Sequence, residues 1–109
     1  MDVERVGVLG AGLMGSGIAE VCARAGLAVA VVEVTEELAA AGRRRVEASL
    51  AKAVARGKAS EEEREATLGR LSFGADFAAL ADRDLVVEAI VEDAGVKEEV
   101  FRRLDAVVE

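Results

Sequence analysis

Two continuous apolar runs stand near the start of the chain, at residues 6–9 and 27–32. Such runs are typical of strands in a parallel sheet, because helices cover both of its faces. Between them, apolar residues recur at the helical spacing i, i+3, i+4, i+7. These residues are Ile18, Val21, Cys22 and Ala25. The pattern predicts a strand, a helix over residues 16–25 that buries these side chains, and a second strand.

Two helices are predicted after the second strand. The first covers residues 35–56, where apolar side chains recur at multiples of four, and we expect Gly57 to end it. The apolar positions are Leu38, Val46, Leu50 and Val54. Ser60 and Glu63 have the spacing of a capping box, which predicts a short helix up to about Gly69.

The rest of the chain predicts strands at residues 70–73 and 84–88, with a brief helix over residues 77–81 between them. The final segment is expected to form an amphipathic helix with its apolar side chains on one face. These are Val96, Val100, Leu104 and Val107. Strands that alternate with helices indicate an α/β fold, a Rossmann-like parallel sheet in the order 3-2-1-4 with helices on both faces. The strands of a second half are missing, so residues 1–109 are interpreted as the N-terminal part of an incomplete doubly wound dinucleotide-binding domain.

The turn after the first strand has the glycine spacing G-x-G-x-x-G. Its residues are Gly10, Ala11, Gly12, Leu13, Met14 and Gly15. Gly10 permits a tight turn, Gly12 lets a pyrophosphate approach the backbone, and Gly15 lets the helix pack near the strand. The N–H groups of the first helical turn then favour an anion. We predict a dinucleotide site here; the alternative is a structural turn without a ligand.

An acidic residue follows the second strand. Glu33 lies 18 residues beyond Gly15, where a carboxylate accepts hydrogen bonds from the adenosine ribose of a bound dinucleotide. A 2′-phosphate at that point would meet like charge. The predicted cofactor is therefore NAD rather than NADP.

Composition narrows the function classes. The formal net charge of −7 argues against nucleic acid or an anionic membrane surface as a partner. Because the chain has no histidine, we expect neither a Cys/His metal cluster nor a Ser-His-Asp triad. The single cysteine, Cys22, is expected to be a small core residue rather than a nucleophile. The lone cysteine and the lack of a long apolar run or a basic leader predict a cytoplasmic protein.

The turn, the acid and several further motifs together resemble the 3-hydroxyacyl-CoA dehydrogenase family, particularly its bacterial 3-hydroxybutyryl-CoA members. The motifs are residues 8–19, Ser49-Leu50, Val91-Glu92 and residues 96–101. The resemblance covers nearly the whole chain. It implies an NAD-dependent oxidoreductase of fatty acid metabolism that interconverts (3S)-3-hydroxyacyl-CoA and 3-oxoacyl-CoA. It also implies a C-terminal helical domain that dimerises.

The resemblance assigns roles to individual residues on the cofactor side. The glycine turn would hold the pyrophosphate and Glu33 the adenosine ribose, where the family more often has aspartate. Glu92 and Lys97 would contact NAD on the nicotinamide side. Taken without the resemblance, Lys97 is an ordinary surface lysine.

The resemblance also implies a coenzyme A site on the long helix. Ser49 and Arg56 match family positions that contact coenzyme A, and Lys58 replaces Arg56 if the helix end is shifted. Ser49 is equally compatible with a plain surface serine. The neighbouring arginines at residues 43–45 are interpreted as a solvated helical surface rather than a phosphate clamp.

The chain departs from the family in its catalytic residues. The family's general base is a histidine paired with a glutamate, and both come later than any residue here. We therefore expect these 109 residues to bind NAD without turnover.

An alternative interpretation is a self-standing, non-catalytic NAD-binding regulatory module. A related β-hydroxyacid dehydrogenase ranks third, because that group lacks the long helical segment after the second strand. An uncovered sheet edge and an apolar helix face predict association into a homo-oligomer.

Overall fold

The computed structural model describes residues 3–89 of the chain. Its elements alternate between strands and helices, as predicted. In chain order they are β1 (Arg5–Leu9), α1 (Leu13–Arg24), β2 (Ala28–Val32), α2 (Glu36–Ala55), α3 (Glu61–Gly69), β3 (Leu71–Gly74), a 3₁₀ turn (Phe77–Leu80) and β4 (Leu85–Glu88). The predicted amphipathic helix that contains Val96 and Val107 lies outside the described residues.

The four strands form one parallel sheet in the order β3-β2-β1-β4. This confirms the predicted order. In the register of the sheet, Leu9 of β1 is opposite Val32 of β2 and Glu88 of β4. The carboxyl ends of three strands therefore meet at one edge of the sheet, and the glycine turn leaves from this edge.

The ends of the helices follow local sequence signals. Ser60 accepts a hydrogen bond from the N–H of Glu63 at 3.1 Å, and the Glu63 carboxylate accepts one from the N–H of Ser60 at 2.9 Å, which completes the predicted capping box. Gly57 has a φ of +71° directly after α2. The N–H of Lys58 then donates to the carbonyl of Ala53 at 2.8 Å, so α2 ends in a Schellman motif.

Core residues lie on both faces of the sheet, which confirms the predicted layers. Helices α1 and α2 cover one face, where Ala19, Val46 and Leu50 pack with residues of β1 and β2. On the other face, Phe77 and Leu80 of the 3₁₀ turn pack with side chains at the ends of β1 and β2.

The predicted buried stripe of α1 is wrong. Val21 is 70% exposed and Ala25 is also exposed, whereas Ile18 and Cys22 are only partly buried against the core. The buried residues of α1 are instead the small ones, Gly15, Ser16, Ala19 and Ala23. Close packing of the first turn of α1 on the glycine turn fixes the rotation of the helix, and small side chains then face the sheet.

Candidate functional site

The glycine turn connects the carboxyl end of β1 to α1. Gly10 has a φ of +105°, a conformation that side chains other than glycine rarely adopt. Its N–H donates to the carbonyl of Val32 at 2.9 Å, which ties the turn to the end of β2. The backbone of Gly10 is thus the tight turn that the sequence predicts.

Gly15 and Gly12 have opposite surroundings. A Cβ on Gly15 would overlap the carbonyl oxygen of Gly10, so the packing of α1 on the turn requires glycine there. A Cβ on Gly12 would have no heavy atom within 4 Å. Gly15 is therefore required by the packing of the protein itself, whereas the space beside Gly12 is open.

Helix α1 begins at Leu13, earlier than the predicted residue 16, because Gly12 is already the N-cap. Gly12 has no side chain to cap the helix, and within residues 3–89 no acceptor binds the N–H groups of Leu13, Met14 and Gly15. Unpaired N–H groups at a helix start, together with the helix dipole, favour an anion. The open space at Gly12 gives such an anion access to the backbone.

Glu33 lies next to the turn, as the dinucleotide interpretation requires. Its Oε2 accepts a hydrogen bond from the N–H of Ala11 at 2.8 Å, and its Oε1 accepts one from the N–H of Val34 at 3.0 Å. A carboxylate has about four acceptor positions, so both oxygens retain capacity for ribose hydroxyls. The structure therefore brings together the glycine turn and the acid that were identified separately in the sequence.

Arg45 is a residue of this site that sequence reasoning missed. Arg43, Arg44 and Arg45 are all exposed, as the interpretation of a solvated helical surface expects. In addition, Arg45 Nη1 donates to the carbonyl of Ala11 at 2.9 Å, a contact that the sequence does not predict. Arg43 stacks over the Phe73 ring, with 5.4 Å between its guanidinium carbon and the ring centroid. Glycine in the middle of α2, at Gly42, is the sequence signal that marks this close approach between α2 and the turn.

Two of the other predicted site residues lie on α2 or at its end. Ser49 and Arg56 are exposed, Ser49 on α2 and Arg56 at its C-cap. Glu92 and Lys97 lie outside the described residues. Within the described part, no group of three His, Cys, Asp or Glu side chains is arranged to hold a metal ion.

A family model described as "3-hydroxyacyl-CoA dehydrogenase, NAD binding domain" matches residues 5–109. The chain belongs to this family. The match confirms both the resemblance found in the sequence and the predicted cofactor, NAD. The open space at Gly12, the unpaired N–H groups of the first turn of α1 and the adjacent Glu33 carboxylate fit a dinucleotide.

Known relatives agree with the family. A 3-hydroxybutyryl-CoA dehydrogenase of Mycobacterium tuberculosis is 57% identical over 106 residues, which cover 97% of this chain and 37% of the relative. The crystal structure of M. tuberculosis FadB2 superposes with a TM-score of 0.92 at 55% identity, over 100% of this chain and 38% of the other. The (S)-3-hydroxybutyryl-CoA dehydrogenase PaaH1 of Ralstonia eutropha has a TM-score of 0.90 at 30% identity, over 99% of this chain and 38% of the other. The chain thus spans less than two fifths of the length of these relatives.

None of the helices within residues 3–89 combines the length and the apolar character that crossing a bilayer needs.

Proposed function

We propose that this chain is the NAD-binding part of an enzyme that interconverts (3S)-3-hydroxyacyl-CoA and 3-oxoacyl-CoA. The observation that carries the proposal is the geometry at the carboxyl edge of the sheet, where an open helix start and the Glu33 carboxylate flank the same turn. The names of the relatives support the substrate class, because they are 3-hydroxybutyryl-CoA dehydrogenases. When bound, NAD supplies the acceptor for the hydride that leaves C3 of the hydroxyacyl group.

In this proposal, the turn binds the dinucleotide and Glu33 selects it. The unpaired N–H groups at the end of the turn, on Leu13, Met14 and Gly15, donate to the pyrophosphate. Gly10 and Ala11 shape the turn, because their own N–H groups already bind the Val32 carbonyl and the Glu33 carboxylate. Glu33 accepts hydrogen bonds from the adenosine ribose, and its negative charge disfavours a 2′-phosphate. Glu92 and Lys97 remain predicted contacts on the nicotinamide side.

The proposed coenzyme A contacts are Ser49 and Arg56. The two residues are seven positions apart, about two helical turns, and so lie on the same side of α2. Both are exposed, as a contact with a second large ligand requires. The general base is proposed to come from the remaining length of the whole enzyme, so that these 109 residues bind NAD without turning over substrate.

We propose further that copies of the chain associate in the cytoplasm through the outer side of α1, without nucleic acid as a partner. Leu13, Met14 and Val21 are 84%, 70% and 70% exposed there and line an open apolar groove together with Ile18 and Cys22. Exposed apolar surface of this kind favours association. The net charge of −7 supports the exclusion of nucleic acid.

Titration with NADH tests the cofactor role of Glu33. The chain has no tryptophan or tyrosine, so NADH emission is followed against a low protein background. We expect saturable NADH binding, much weaker NADPH binding, and a roughly tenfold loss of NADH affinity in Glu33→Gln, because the amide removes a charge-assisted acceptor. The relative preference for NADH over NADPH should fall in the same variant.

Glu33→Gln is preferred to Glu33→Ala because the amide oxygen still accepts from the N–H of Ala11, so that the turn is preserved. Glu62→Gln on the exposed surface of α3 is the matched control for the loss of one negative charge, and its NADH affinity should equal that of the original chain. Absence of NADH binding by the original chain would refute the proposed function.

A further inference from the structure

The two peptide groups of Ala11 are held by side chains from three parts of the chain, namely α1, α2 and the loop after β2. Ala11 lies between β1 and α1 and belongs to neither. Its N–H donates to Glu33 Oε2 at 2.8 Å. Its carbonyl accepts from Arg45 Nη1 and from the hydroxyl of Ser16, each at 2.9 Å. Side chains thus replace the backbone partners that a strand or a helix would provide.

Helix α2 comes close enough for this contact because residue 42 is glycine. A Cβ on Gly42 would lie 2.5 Å from the Cβ of Ala11 and 2.8 Å from its carbonyl oxygen. Arg45 follows Gly42 by three residues and therefore lies on the same side of the helix. Gly42 removes the steric barrier, and Arg45 makes the hydrogen bond across the resulting contact.

Opposite charges contact the two successive peptide groups that meet at Ala11. The Glu33 carboxylate accepts from the N–H of the Gly10–Ala11 peptide, and the Arg45 guanidinium donates to the carbonyl of the Ala11–Gly12 peptide, so each charge fixes the orientation of one of them. Hydrogen bonds to charged groups are stronger than neutral ones. Ala11 is also almost completely buried, with 1% of its surface exposed, which strengthens these interactions.

We propose that Arg45 is a positioning residue of the NAD site, which fixes the orientation of the Ala11–Gly12 peptide and thereby the direction of the N–H groups that follow it in the turn. The inference rests on the proposed function, because those N–H groups would bind the pyrophosphate. Arg45 acts through the backbone of Ala11. The contributions of Arg45 and Glu33 to NADH affinity then depend on each other, so that removing either side chain reduces the contribution of the other.

The test measures NADH binding by Arg45→Met, Arg45→Lys and Arg44→Met. We expect a roughly tenfold loss of affinity in Arg45→Met and partial recovery in Arg45→Lys, which retains a charged donor. Arg44 makes no hydrogen bond or ion pair within residues 3–89, so Arg44→Met is the control for charge and should bind like the original chain. The amide signal of Gly12, whose N–H belongs to the same peptide as the Ala11 carbonyl, should shift in a ¹H–¹⁵N spectrum of Arg45→Met without cofactor and stay in place in Arg44→Met.

A double-mutant cycle measures whether Arg45 and Glu33 are coupled in NADH binding, which a purely structural role of Arg45 would not produce. The losses of NADH affinity in Arg45→Met and Glu33→Ala should be less than multiplicative when combined, because each change removes one of the charged side chains that hold the backbone on the two sides of Ala11. Equal affinity of Arg45→Met and the original chain overturns the inference, as do equal losses in Arg45→Met and Arg44→Met. If Arg45→Met does not fold, Arg45→Gln takes its place under the same criteria. Failure of the original chain to bind NADH refutes the proposed function instead.

Discussion

Gly12 is the residue of the turn whose identity the packing of the protein does not explain. An added methyl group at Gly15 would overlap the backbone of Gly10, whereas at Gly12 and at Gly17 it would meet no heavy atom within 4 Å. Packing within the described residues therefore requires glycine only at position 15 among these three. A requirement for glycine at position 12 must come from a ligand.

Gly12→Ala should separate ligand binding from stability. We expect the free energy of unfolding to fall by less than about 1 kcal/mol, the cost of a poorer N-cap residue. NADH affinity should fall at least roughly tenfold, because the methyl group occupies the space that the pyrophosphate needs. Urea unfolding and NADH titration measure the two quantities on the same preparation.

Gly17→Ala is the matched control, since it adds the same methyl group five residues further along the chain, within α1. It should raise the free energy of unfolding by about 0.5–1 kcal/mol, because alanine is favoured over glycine within a helix, and leave NADH affinity unchanged. Unaltered NADH affinity in Gly12→Ala would show that the ligand does not approach Gly12.

At the residue scale, the sequence predicts where the backbone requires glycine. It does not predict hydrogen bonds between a side chain and a backbone group that is far away along the chain. Gly10 and Gly15 follow from the spacing of the turn. The contact between Arg45 and Ala11 joins residues 34 positions apart and has no local pattern. The acid at position 33 was predicted as a ligand residue, but its hydrogen bond to Ala11 depends on how far the longer glutamate reaches.

At the element scale, helix α1 shows why periodicity alone is insufficient. Two stripes on this helix have helical spacing, one of larger apolar side chains and one of small residues. The hydrophobic pattern favours the larger stripe, but contact between Gly15 and the turn rotates the small stripe toward the sheet. The ends of α2 and α3 are local signals and were predicted correctly at Gly57 and Ser60.

Val21→Gln tests both the orientation of α1 and the proposed self-association. Since Val21 is 70% exposed, the substitution should change the free energy of unfolding by no more than about 0.5 kcal/mol, measured by urea at low protein concentration. Light scattering at high concentration should show less association than the original chain, because the apolar groove loses one of its exposed side chains.

The same substitution at a buried valine provides the comparison. Val46 is 1% exposed, and Val46→Gln should lower the free energy of unfolding by about 2–5 kcal/mol, because it removes apolar packing and buries an amide without a partner. Similar losses at both positions would contradict the observed orientation of α1. A monomeric original chain at high concentration would refute the association.

At the scale of the whole molecule, the strand order follows from general rules for parallel sheets, but the contact that joins β1 to the segment before β4 does not. Asp84 Oδ2 accepts hydrogen bonds from the N–H groups of Glu4 and Arg5, each at 2.9 Å. The residues concerned are 80 and 79 positions apart, so no sequence pattern predicts them. This carboxylate joins the start of β1 to the residue that directly precedes β4.

The contact makes stability depend on pH. The hydrogen bonds from the N–H groups of Glu4 and Arg5, and then the charges of Arg5 and Arg83, lower the pKa of Asp84 from its ordinary value of 3.8. A carboxyl with a lowered pKa in the folded state stabilises the fold above the unfolded-state pKa, and this contribution is lost as the pH falls through the folded-state pKa. The urea midpoint of the original chain should therefore drop as the pH falls below about 4.

Asp84→Asn isolates this contribution, because the amide oxygen still accepts a hydrogen bond but does not titrate. The variant should be less stable than the original chain at neutral pH, and the difference should shrink as the pH falls below 4.

Glu63 adds a second contribution of the same sign. Hydrogen bonding with the backbone N–H of Ser60, and then with the Ser60 side chain, lowers the pKa of Glu63. Glu63→Gln retains an acceptor for the capping box. The variant that combines Asp84→Asn with Glu63→Gln should therefore lose less stability between neutral pH and pH values below 4 than the original chain or Asp84→Asn alone. If the original chain and Asp84→Asn lost stability in parallel, the contact between β1 and the start of β4 would not depend on the ionised carboxylate.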